Sequence, residues 1–147
     1  MLISSHFKKI EQCDRVVTLL DPEQDFELWF WAAMVGGTNA VNAALHHVGL
    51  TIEETGFPSQ PGVFFVPEGD GYIQVADRAG DILHVGRPPV QGHIPPDLQT
   101  MMDAMETIEQ YRDPCTRGEM EITADVIASC RAAYDTCLRH MHELFKD

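Results

Sequence analysis

The sequence predicts a mostly α fold: a four-helix bundle of two antiparallel helical hairpins, with a long crossover (about 49–95) carrying short β-strands, in a single domain over 1–147. Three observations carry this reading. Apolar residues recur at helical spacing on both sides of the chain's middle. Asp21 and Pro22 leave almost no linker between the first two helical stretches, which makes them antiparallel neighbours. The middle is punctuated by GFPSQPG, PEGDG, RAGD and GRPPVQG, where turn residues interrupt any helix.

The first helix is placed at about 5–20, on Phe7, Ile10, Cys13, Val17 and Leu20 at steps of three and four. Helix two is placed at about 22–48. Asp21 is suited to cap it, Pro22 to occupy its first turn, and Gly49 to end it. In the crossover, VFFV (63–66), YIQVA (72–76) and DILHV (81–85) read as strands, the first two able to pair across PEGDG. Helix three, about 96–112, opens near Pro96 and aligns Leu98, Met101, Met102, Met105 and Ile108. Helix four, about 119–145, carries the clearest stripe, Ile122, Val126, Cys130, Ala133, Cys137, Met141 and Leu144.

Composition narrows the function classes. The formal charge is −13, divided as −3, −5 and −5 over residues 1–50, 51–100 and 101–147. With no basic patch in reserve, neither nucleic acid nor an anionic membrane surface is an expected partner, because both attract Lys and Arg. From Leu28 to Leu45 the chain is uncharged, but Gly36, Gly37, Thr38, Asn39 and Asn42 fit a buried bundle helix better than a membrane span. Cys13, Cys115, Cys130 and Cys137 show no CxxC pair and read as reduced thiols, and MLISSHFKKIEQ has no apolar signal core. A cytoplasmic location follows as the expectation. Cys115, after Asp113 and Pro114, is the least core-like of the four.

Function is less legible. On helix two, Ala33, Gly37, Ala40 and Ala44 share one face, a small-residue seam open to close helix approach. Roughly opposite lie Asn39, Asn42 and His46, with Leu28, Trp31 and Val35 on the same side nearer the N-terminus. The N-terminal half of the helix is expected to be enclosed, and the C-terminal half to open one polar strip. Asn39, Asn42 and His46, joined by His140 if the helix ends share a pole, are the candidate ligand-binding residues, for a small polar ligand. Adjacent His46 and His47 diverge by about 100° and do not converge on one ion. Asp81, His84 and His93 in the crossover are the candidate metal ligands, beside Asp77 and Arg87.

Several established chemistries are excluded by spacing. Di-iron carboxylate bundles need a Glu-x-x-His pair on each of two helices, and none occurs in this chain. No P-loop, GxGxxG or GxSxG setting is present either, so no cofactor is assigned and no catalytic residue is named. The leading expectation is a self-associating, homodimeric binding or interaction module that uses the small-residue seam or Tyr134 and Leu138. The alternative is a small-molecule or metal-dependent enzyme with its pocket between the crossover and the C-terminal half of helix two. The sequence leaves open whether the protein is an enzyme.

Overall fold

The computed structural model describes residues 1–53, 65–68, 71–74, 80–82, 90 and 92–146, with only the backbone of 65–68 and 71–74. The described residues form a mostly helical bundle with four helices: α1 (Ile3–Leu19), α2 (Phe26–His47), α3 (Pro96–Thr116) and α4 (Ala124–Leu144). Between α2 and α3, strands β1 (Phe65–Glu68) and β2 (Gly71–Gln74) pair antiparallel, Phe65 opposite Gln74 and Glu68 opposite Gly71. Asp81 and Ile82 are not in a strand, contrary to the DILHV reading; residues 83–89, His84 among them, lie outside the described residues.

Helix α2 begins four residues later than its sequence suggests. Asp21 does receive backbone N–H groups, but its side chain takes that of Glu23 (2.9 Å) and its carbonyl those of Gln24 (3.1 Å) and Asp25 (2.7 Å). That closes a separate turn instead of capping the helix. The other end follows expectation. Gly49 has φ +72°, its N–H donates to the His46 carbonyl, and that of Leu50 donates to Leu45, the paired bonds of a Schellman stop. Helix α3 passes through Pro114 to Thr116 and stops in the same way at Gly118, φ +73°. Helix α4 starts only at Ala124, where the Thr123 hydroxyl accepts the Val126 N–H, so Ile122 falls outside it and is exposed.

Helix α2 is the hub, touching all three other helices, while α1 packs chiefly on α2 and α3 on α4. Its small residues make this possible. A Cβ on Gly36 would stand 3.0 Å from both Cys13 Cβ and the Tyr134 hydroxyl, and one on Gly37 would run into the Met105 sulfur. The small-residue seam is therefore consumed inside the subunit: Ala33, Ala40 and Ala44 are fully buried, Tyr134 is buried and Leu138 packs on the core. None of these offers a self-association surface.

The exposure pattern of α2 reverses the expected one. In the N-terminal half, Leu28 (66%), Trp31 (39%) and Val35 (44%) stand in solvent on one face. In the C-terminal half the polar strip of Asn39, Asn42 and His46 is buried. The physical reason is that every polar group of the strip finds a protein partner, which removes the cost of taking it out of water.

Cys115 is also buried, in the same core as Cys130 and Cys137. All four cysteines are free. Burial pushes the thiols of Cys130 and Cys137 up to about 12, so neither is a nucleophile at neutral pH. No described helix is long and apolar enough to cross a membrane.

Candidate functional site

The buried end of α2 meets α1 and the 80–82 segment at one polar cluster. His6 lies on the inner stripe of α1, one helical turn before Ile10, and is fully buried. The backbone N–H of Ile3 donates to Glu53 (2.6 Å), tying the start of α1 to the chain just past α2. His6 Nε2 and His46 Nε2 then stand 3.1 and 2.9 Å from the same oxygen, Asp81 Oδ1, and the two rings lie 5.3 Å apart. One ligand atom from each of the three residues falls within 4.8 Å of the others. The terminal ammonium of Met1 also lies 2.6 Å from Asp81 Oδ1.

Each imidazole is held from behind. His6 Nδ1 is 2.8 Å from Asn39 Oδ1, and Asn39 Nδ2 donates to the Val35 carbonyl (2.7 Å). The latter bond fixes the amide's orientation, so its oxygen faces His6 and can only accept. His6 Nδ1 must therefore carry the proton. A neutral His6 consequently turns the lone pair of Nε2 toward the Asp81 carboxylate. That pairing is repulsive unless a proton or a metal ion stands between them. His46 Nδ1 is 2.6 Å from the Thr51 hydroxyl, which can donate to it and so leaves Nε2 free to carry a proton toward Asp81, 2.9 Å away.

Burial raises the Asp81 carboxyl, but its close contacts with His46, His6 and the terminal ammonium outweigh it and hold the group far below the usual carboxylate range. Asp81 is thus an anion facing two buried imidazoles whose side chains are 1% (His6) and 0% (His46) exposed. An oxygen partner behind each imidazole is the arrangement by which proteins orient histidines that bind metals.

No family model, curated protein or solved structure matches this chain. The site must be read from its own chemistry.

The structure brings together Asn39, Asn42 and His46 from helix two and Asp81 from the crossover. His140 is elsewhere, with Nδ1 3.4 Å from Asp97 and 3.8 Å from Glu143 but no hydrogen bond formed. His93 is exposed and not part of the cluster, and His84 is outside the described residues. Although Phe145, next to the end of α4, contacts both His47 and Phe7, sharing that pole does not carry His140 to His46.

His6 is the residue sequence reasoning missed. The signal was available: His6, Ile10, Cys13 and Val17 stand four, three and four apart, and a histidine in line with a core stripe invites a search for its partner. A groove of about 430 Å³ between α3 and α4, by contrast, offers little chemistry. Its hydroxyls from Thr100 and Thr107 are donated to the helix carbonyls of Pro96 and Asp103.

Proposed function

We propose that the protein is a metal-binding module that holds a divalent first-row transition ion between His6 Nε2, His46 Nε2 and the Asp81 carboxylate. The observation that carries this reading is the convergence of His6, His46 and Asp81, whose ligand atoms lie within 4.8 Å of one another, with each imidazole held from behind by an oxygen partner. The donor spacing supports it. Bonds of about 2.1 Å place neighbouring ligand atoms ~3.0 Å apart at an octahedral ion and ~3.4 Å apart at a tetrahedral one. The observed 2.9 and 3.1 Å from the two imidazole nitrogens to Asp81 Oδ1 lie near the octahedral spacing. Two imidazoles and one carboxylate suit zinc or iron(II) and leave positions for water or a small polar ligand.

The test is titration of chelator-stripped protein with cobalt(II), followed by its visible absorption. One ion per chain is expected, lost in His6→Ala and His46→Ala and held far more weakly in Asp81→Ala. Wild type that binds no better than these variants would remove the reading.

The hairpin arrangement belongs to the same proposal. His6 beside Asn39 and His46, with Cys13 against Gly36, supports opposite directions for α1 and α2. Asp97 beside His140 supports the same for α3 and α4. Four free thiols fit the expected cytoplasmic compartment.

Self-association is the second reading, now placed on the face formed by Leu28, Trp31 and Val35. Three large exposed apolar side chains at one helical face favour burial against a second copy. Sedimentation should show a concentration-dependent dimer that Trp31→Glu abolishes; a monomer at all concentrations would dismiss it.

A further inference from the structure

We infer that Asn42 is a positioning residue for the metal site, a two-point clamp on Ile82 that presents the Asp81 carboxylate to His6 and His46. The inference rests on the metal-binding reading. Asn42 touches none of the three ligands through the contacts that define it. It stands one helical turn before His46 on the same side of α2, and it is buried. Its Oδ1 accepts the Ile82 N–H at 2.7 Å and its Nδ2 donates to the Ile82 carbonyl at 2.9 Å.

An amide engaged with both main-chain groups of one residue reproduces what a neighbouring strand would supply. Among the described residues no main-chain partner holds 80–82, and the segment has no regular structure. The clamp thus substitutes for a ladder. Its reach to Asp81 is short, because the Ile82 nitrogen and the Asp81 carbonyl belong to one planar peptide unit, which carries the Asp81 Cα with it. Burial of the Ile82 side chain (2% exposed) seats the segment from the other side. The result is a carboxylate from an irregular segment delivered to a fixed point between two helices.

A merely structural clamp and a positioning clamp differ in one measurable respect. If Asn42 acts on the metal through Asp81, its removal has nothing left to disturb once Asp81 is gone. The experiment measures zinc affinity of the full chain by competition with a chromophoric chelator, for wild type, Asn42→Ala, Asp81→Ala and the double variant. Asn42→Ala is expected to weaken zinc by about 10- to 100-fold, the usual result of removing a group that orients a metal ligand. In the Asp81→Ala background the same change should alter affinity by less than about twofold. The cobalt(II) spectrum of Asn42→Ala should shift toward that of Asp81→Ala.

Wild-type affinity in Asn42→Ala, or an equal loss in both backgrounds, overturns the inference while leaving the metal site standing. Wild type that fails to bind zinc overturns the metal reading and the inference with it. Should Asn42→Ala not fold, Asn42→Gln takes its place in the cycle. It keeps an amide but, one methylene longer, cannot meet both Ile82 groups without displacing Asp81, and the same pair of outcomes decides.

Discussion

Zinc at a hundred times its dissociation constant is expected to stabilise the chelator-stripped protein by about 2.7 kcal/mol, through preferential binding to the folded state. For a chain of this size that corresponds to a rise of roughly 5–11 °C in the thermal midpoint. The expectation is strong because the ligands come from three separate segments: α1, α2 and the crossover at 80–82. None of them is near the others in the unfolded chain, so a free ion gains the full set only on folding. Magnesium and calcium, which favour oxygen ligands, should give little of this rise. His6→Ala should melt lower than wild type even without metal, since it leaves Asn39 Oδ1 without its partner at a buried position. The decisive quantity is the zinc-dependent increment, which should vanish in that variant. Equal midpoints for wild type in chelator and in zinc would contradict the site.

The second large effect is expected at Trp29. This side chain is fully buried, with Phe26 at 6.2 Å between ring centroids and the Arg131 guanidinium 5.1 Å from its ring. Trp29→Ala should lower the unfolding free energy by about 3–5 kcal/mol in urea titrations, the usual result of emptying an aromatic site in a core. Trp29→Phe should cost far less, about 1 kcal/mol. The phenyl ring forfeits some volume, but it also removes a buried indole N–H that has no hydrogen-bond partner among the described residues. If the Phe variant lost as much as the Ala variant, shape and not the orphaned donor would govern this position.

The helical content was legible wherever a helix has one wet face and one dry face. On α4 the residues Val126, Cys130, Ala133, Cys137 and Met141 stand four, three, four and four apart, and all are buried. On α2 that logic gives way. Its residues are apolar nearly all round, so periodicity cannot say which side faces out. The polar strip looked like the natural surface, yet the hydrogen bonds of Asn39, Asn42 and His46 to distant groups put it inside and left Leu28, Trp31 and Val35 in solvent. Pairings across 33, 35 and 40 residues of sequence are not encoded in local spacing. For the same reason His140 could be named as a candidate while His6 was passed over, and Asp81 could be named as an acid on the crossover without its two partners.

The crowded waist at Gly36 and Gly37 has a consequence for the far end of its helix. There α2 is pinched between Cys13, Tyr134 and Met105 with no room for a methyl group. His46 lies nine residues further on, about 14 Å along the same rod. Such a pivot acts as a lever: a tilt of about 4° forced by a bulkier residue at the waist would move His46 by about 1 Å against His6. A bulkier residue at the fulcrum is accordingly expected to weaken zinc at the proposed site.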